Sequence, residues 1–257
     1  MQSLSLLSAE SIQDIKLLCF DSDGVAVQRG TEVTENNGVL TIKSKVITES
    51  LLEKVSKLKK RFHVNFTSGR NLLYLNQMLS SVLWENASLQ GENGLFTLID
   101  GQIIQSDKIS SDELEKVEEI RAKIATLARK NDNIKGFEPK QFIVSVHCFK
   151  PDPQIEDIVR QVDTNDEFYA LWVSNEAYDI FLKRFNKGVG LEFLANHLGI
   201  ELSQTLAVGN DLNDKQMLEK AGVSITTNKD VLDANYFTEN KYELGGEEVV
   251  DHILNLL

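Results

Sequence analysis

The stretch KLLCFDSDGV, residues 16–25, decides the fold. The apolar run of residues 17–20 follows a lysine and stops abruptly at Asp21-Ser22-Asp23-Gly24, which suits a strand buried on both faces and emptying into a loop. Asp21 then sits at the carboxyl end of that strand. Such a strand belongs in a parallel sheet, whose strand ends face one crevice where groups distant in sequence converge.

Outward from this stretch the same texture recurs. Residues 25–28 and 39–42 flank polar residues that include Asn36-Asn37-Gly38, and predict a hairpin flap with a tight turn. Ser50 and Glu53 have capping-box spacing, and Leu51, Leu52, Val55 and Leu58 repeat at helical intervals. Residues 63–66 predict a second strand ending at Thr67-Ser68-Gly69-Arg70, followed by a helix through Leu72, Leu75 and Leu79. The strand, helix, strand order implies a right-handed parallel crossover. Further on, Lys187 heads a helix marked by Leu191, Leu194 and Leu198 and closed by Gly199. Residues 205–208 then read as a strand ending at Gly209-Asn210-Asp211, and residues 213–221 as a helix stopped by Gly222.

From about Gly91 the texture differs. Residues 95–99 and 102–105 read as a hairpin, 111–130 as a charged amphipathic helix, 142–149, 168–173 and 178–184 as strands, and 155–162 as a helix. The expected fold class is therefore α/β: a doubly wound parallel-sheet core of residues 12–90 and 184–257, with an inserted α+β domain of residues 91–183. The first dozen residues have no assigned place.

Composition narrows the function. With 27 basic and 39 acidic residues the formal net charge is -12, which opposes non-specific binding to nucleic acid or an anionic membrane surface and favours a small-molecule partner. A phosphate ligand would then need local positive charge from a metal, a lysine or helix amino-termini. Cys19 and Cys148 each lie in an apolar stretch, as reduced core thiols do, and imply a cytoplasmic compartment. The opening residues show no basic segment followed by an apolar block, and no run approaches membrane-spanning length, so a soluble, unprocessed protein is expected; a monomer or homodimer is the expected assembly.

Polar clusters fall at successive strand ends: Asp21 and Asp23, Thr67 and Ser68, Lys187 before a helix, then Asn210, Asp211, Asn213 and Asp214. Gathered carboxylates repel one another unless a cation sits among them. Mg2+ suits such a site, because it takes one or two carboxylates and keeps positions for water and phosphate.

In order and context, Asp21-Ser22-Asp23-Gly24-Val25, Ser68-Gly69-Arg70, Lys187 and Gly209-Asn210-Asp211-Leu212-Asn213-Asp214 resemble the motifs of haloacid dehalogenase superfamily phosphatases. The insertion resembles the large α/β cap of the branch that includes Cof-like sugar phosphatases, sucrose phosphatase and phosphomannomutase. The resemblance implies Mg2+-dependent hydrolysis of a small phosphate monoester, such as a sugar phosphate, beneath a cap that closes over the crevice and chooses the substrate.

Residue by residue, it implies that Asp21 is the nucleophile and a metal ligand, and that Asp23 is the acid and base, its backbone carbonyl also on the metal. Ser68 would bond the transferring phosphoryl oxygens, with Thr67 and Gly69 beside it, and Lys187 would neutralise Asp21 and the phosphate. Arg70, Asn93 and Asn213 are further substrate-binding candidates. The fourth motif departs from the family's commonest form, Gly-Asp-x-x-Asn-Asp, because position 210 is asparagine. Either Asn210 or Asp211 meets the metal, with Asp214 in a supporting or water-linked place.

Plainer explanations compete at each point. Turn and cap chemistry alone accounts for Asp21 with Asp23, for Ser68, and for Asn213 with Asp214. His147 reads as structural, and Trp84 and Trp172 read as core residues rather than a sugar platform. The rival functions are a phosphomutase using the same aspartyl phosphate, a non-catalytic phosphosugar-binding protein marked by Asn210, and a receiver domain, a fold about half this length.

Overall fold

Leu17–Asp21 is a strand with every residue buried, and its alternation shows how the sheet is covered. Leu18 and Phe20 enter one apolar cluster with Leu51, Val55, Leu58, Val249 and Ile253. Leu17 and Cys19 enter another with Leu191, Leu194, Met217 and Leu218. A strand apolar on both sides needs helices on both sides, and each fully buried Leu or Phe contributes about 1.5–3 kcal/mol to holding them there.

The computed structural model describes residues 1–30, 32–36, 39–173 and 176–257. Nine strands among them form one sheet, in the order Gln2–Ser3, Tyr236–Phe237, Val223–Thr226, Thr205–Gly209, Leu17–Asp21, His63–Thr67, Ala87–Gly91, Phe96–Ile99, Gln102–Gln105. Pairing is parallel as far as Ala87–Gly91, and the last two strands run antiparallel. Helix Glu49–Leu58 carries the chain from Leu17–Asp21 to its neighbour His63–Thr67, and helix Lys187–Leu198 precedes the neighbour on the other side, Thr205–Gly209. The chain thus leaves the central strand in both directions, which opens a crevice at the carboxyl end of Leu17–Asp21.

The chain divides into two compact units, Met1–Gly30 with Ser44–Ser106 and Asn186–Leu257, and Thr31–Lys43 with Asp107–Phe185. This division differs from the expected one in moving residues 91–106 into the first unit and Thr31–Lys43 with residues 184–185 into the second. The hairpin Phe96–Ile99 and Gln102–Gln105 extends the large sheet by pairing with Ala87–Gly91, which explains the first shift.

The second unit contains an antiparallel sheet ordered Phe168–Val173, Ala177–Leu182, Val144–Cys148, Ile134–Glu138, together with helices Ser111–Ala128 and Pro153–Val162. Ser110 and Glu113 form a capping box on the first helix, and Asp152 caps the second ahead of Pro153. His147 is buried, and Trp172 lies edge-on to Tyr178 at 5.2 Å between centroids.

Several local expectations change. The flap hairpin is Glu32–Asn36 with Val39–Lys43, so its first arm is not residues 25–28; the expected turn at Asn37-Gly38 lies outside the described residues. Val25, Ala26 and Val27 are instead buried in a loop closed by the Gly24 amide on the Val27 carbonyl, 2.7 Å. Thr48, not Ser50, caps Glu49–Leu58, accepting from the Leu51 amide. Trp84, in the first unit, is 45 % exposed and is no core residue. The opening residues, left without a place by sequence, supply the edge strand Gln2–Ser3 and bury Leu4, Leu7 and Ile12.

Candidate active site

Parallel pairing brings Asp21 into register with Thr67, and Thr205–Gly209 ends on the opposite side of the same strand. Lys187 is the first residue of helix Lys187–Leu198, capped by Asn186, whose side chain accepts from the Gly188 and Val189 amides. Its ammonium reaches Asp21 Oδ1 and Asp214 Oδ1, each at 2.5 Å, with no side-chain exposure.

Removing three charges from water is costly, so short charge-assisted contacts must offset the desolvation. Burial, and then the charge of Asp214, push the Asp21 carboxyl above its ordinary value while Lys187 pulls it down. Burial alone would lower the Lys187 ammonium, but the two carboxylates outweigh that and hold it above its usual range. A lysine that keeps its proton at this distance favours ionised Asp21, the state in which a carboxylate can attack phosphorus.

Asp214 is wholly buried. Its Oδ2 accepts the Asn210 amide at 2.8 Å and the Asp211 amide at 3.1 Å. A Cβ on Gly209 would lie 2.5 Å from Asp214 Cβ, so this approach requires glycine. Asp211 is turned outward, 43 % exposed, and accepts the Leu212 amide as a cap. Asn213 lies partly exposed in the short turn Leu212–Asp214.

Asp23 is gripped by Arg70, with Nε donating to Oδ2 at 2.9 Å and Nη2 to Oδ1 at 3.0 Å. Ser68 Oγ donates to the same Oδ2 at 3.3 Å and accepts the Arg70 amide at 3.2 Å. Arg70, expected against substrate, is thus placed on Asp23. Asn71 caps the following helix, which leaves Ser68 outside that task. Gly69 joins the two in the bend between strand and helix. Thr67 Oγ1 and Asn93 Oδ1 are both buried without a hydrogen-bond partner, and Asn93 holds φ +58 while its amide donates to the Ser68 carbonyl at 3.0 Å. Buried polar atoms left unpaired are costly and point to a ligand or water that would complete them. Lys183, just after strand Ala177–Leu182, pairs with Asp166 in the second unit.

Among the described residues no group of three or more His, Cys, Asp and Glu side chains gathers to hold a metal. The oxygens that could serve are the Asp21 carboxylate, the Asp23 carbonyl and the Asn210 carboxamide. Asn210 Nδ2 donates to the Asp23 carbonyl oxygen at 3.0 Å while its Oδ1 accepts from Arg29 Nη2 at 3.1 Å, so turning Oδ1 toward the Asp23 carbonyl requires Arg29 to move away. With a carboxylate, a backbone carbonyl and a carboxamide as oxygen donors, the chemistry of this set suits a small hard cation at reduced ligand charge. Asp211, capping its own turn, is the poorer of the two alternatives.

Sequence reasoning missed two features. Asp214 holds Lys187, and Arg29 Nη2 donates to Asn210 Oδ1 at 3.1 Å. Nothing marks Arg29 in the sequence, since it follows the Asp-Ser-Asp-Gly loop without periodicity.

The profile of the haloacid dehalogenase-like hydrolase family matches residues 115–231. A phosphoglycolate phosphatase of Methanopyrus kandleri is 24% identical over 196 residues, covering 75% of this chain and 82% of that protein. The structure of a trehalose-6-phosphate phosphatase related protein superposes with a TM-score of 0.66 at 15% identity, covering 94% of this chain and 99% of that one. The C-terminal domain of trehalose-6-phosphate phosphatase from C. albicans gives 0.67 at 15% identity, covering 96% and 94%. At these identities the solved structures establish the shared fold.

Proposed function

We propose that the chain is a phosphatase of the haloacid dehalogenase superfamily, which hydrolyses a small phosphate monoester, a sugar phosphate or related metabolite, through an aspartyl phosphate on Asp21. The observation that carries this reading is the buried set of Asp21, Lys187 and Asp214 at the carboxyl end of a parallel sheet. One Asp21 oxygen is bound by Lys187, and the other attacks phosphorus in line, so that a P–O bond to Asp21 forms as the bond to the leaving oxygen breaks. Asp23, once released from Arg70 and protonated, gives that proton to the leaving oxygen, then takes one from the water that attacks phosphorus and frees Asp21. Lys187 and Ser68 stabilise the charge on the transferring phosphoryl oxygens. Asp21, the Asp23 carbonyl and Asn210 would hold Mg2+, which supplies positive charge against those same oxygens.

The phosphoglycolate and trehalose-6-phosphate phosphatases among the similar proteins support a small, hydroxyl- or carboxyl-bearing phosphate ester. In this reading the inserted α+β domain chooses among such esters. The test is a panel of phosphorylated metabolites and p-nitrophenyl phosphate, assayed with Mg2+. Phosphate release that disappears in Asp21→Asn is expected. Release from a single sugar phosphate without a bisphosphate activator separates hydrolysis from mutase chemistry.

A further inference from the structure

The Arg29 guanidinium is fixed from several sides within the first unit. Nη2 donates to Asn210 Oδ1 at 3.1 Å, the Asp211 carboxylate is 4.0 Å away, and the Tyr242 ring centroid lies 4.1 Å from the guanidinium carbon. A Cβ on Gly24, which has φ +83, would come within 2.4 Å of Arg29 Nε and 2.8 Å of Asn210 Nδ2. Gly24 therefore keeps open the space that the guanidinium fills. Asn210 in turn donates Nδ2 to the Asp23 carbonyl at 3.0 Å. The two neutral oxygens available to a divalent ion are thus already hydrogen-bonded to protein groups, and one Asp21 oxygen is held by Lys187.

The charges reinforce this. The carboxylates of Asp21, Asp23, Asp211 and Asp214 are each faced by Lys187, Arg70 or Arg29. A dication entering alone meets a neutral carboxamide where a carboxylate would attract it, and a guanidinium that repels it. A phosphate group changes the balance, since it offers Arg29 a better acceptor than Asn210 and gives the cation anionic oxygens.

We propose that Arg29 and Asn210 make cation and phosphate binding interdependent: Mg2+ binds weakly alone and tightly once a phosphate group draws Arg29 off the Asn210 carboxamide. This rests on the proposed function for placing the cation at Asp21, Asp23 and Asn210. Linkage makes the effect reciprocal, so Mg2+ tightens phosphate by the same factor.

The test is titration calorimetry of the full chain with Mg2+, in the absence and presence of saturating inorganic phosphate. Phosphate is expected to tighten Mg2+ at least about tenfold. Asn210→Asp should tighten Mg2+ alone by about tenfold and shrink the coupling, because a carboxylate replaces the amide. Arg29→Gln, at a side chain 38% exposed, should keep the fold, tighten Mg2+ alone by about threefold and also shrink the coupling. Equal Mg2+ affinity with and without phosphate, or no change in Asn210→Asp, overturns the proposal. If p-nitrophenyl phosphate is still hydrolysed with Mg2+ in that case, the coupling fails and the phosphatase reading stands; absence of both Mg2+ binding and hydrolysis removes the two together.

Discussion

Lys187 in the first unit and Lys140 in the second are both buried ammonium groups between carboxylates, yet they are assembled in opposite ways. Lys187 meets Asp21, 166 residues away, and Asp214, 27 residues away, at 2.5 Å each. Lys140 meets Asp179 at 2.9 Å and Glu138 at 3.7 Å, with His147 Nε2 at 3.5 Å from the same Glu138 oxygen. The first set comes from parallel strand ends and helix starts, which collect distant residues at one crevice. The second comes from cross-strand register, in which Ser145 sits opposite both Glu138 and Asp179. Similar chemistry in the two sheets therefore has different reach: the parallel arrangement joins residues 166 positions apart, whereas the antiparallel one joins residues on neighbouring strands.

The largest expected effect separates the two clusters by function. Asp21→Asn should lower turnover of p-nitrophenyl phosphate by at least about a thousandfold with the fold intact by circular dichroism. Retained turnover would reduce the first cluster to a structural ion pair like the second. Stability then sharpens the contrast. Lys187→Met leaves two buried carboxylates uncompensated and should cost about 3–5 kcal/mol in urea denaturation. Lys140→Met, with its longer contacts, should cost about 1–3 kcal/mol; equal losses would break the comparison.

His63 shows burial acting with a neutral partner. Its ring nitrogen lies 2.9 Å from Ser88 Oγ, and burial chiefly pushes its pKa down from 6.5 to about 4. The native ring therefore binds fewer protons than the unfolded one, so this stability is present above about pH 6.5 and is lost as pH falls toward about 4. The loss should be on the order of 2 kcal/mol after screening, and His63→Gln should flatten that part of the pH dependence of the denaturation midpoint. An unchanged slope in the variant would remove His63 as its source.

Much of the fold was legible because its signals are local. Apolar runs ended by Asp21, Thr67 and Gly209 fixed three neighbouring parallel strands, and Lys187 and Gly199 bounded a helix. What escaped lacked a local signal. Gln2–Ser3 and Tyr236–Phe237 are too short to show a period, and the hairpin arm Glu32–Asn36 is mostly polar. The apolar residues 25–27 imitated a strand but are buried in a tight loop. In the candidate site, Asp21, Asp23, Ser68 and Lys187 were identifiable from motif order, whereas the roles of Arg29, Arg70 and Asp214 depend on which side chain each meets in three dimensions.

The central claim, that Asp21 carries the phosphoryl group, is tested most directly by chemical trapping. Enzyme quenched in acid during turnover and treated with borohydride should carry homoserine in place of Asp21 by fragment mass spectrometry, because an acyl phosphate is reduced and a free carboxylate is not. Rapid turnover with no reduction at Asp21, or reduction at Asp23 or Asp214 instead, would contradict the account.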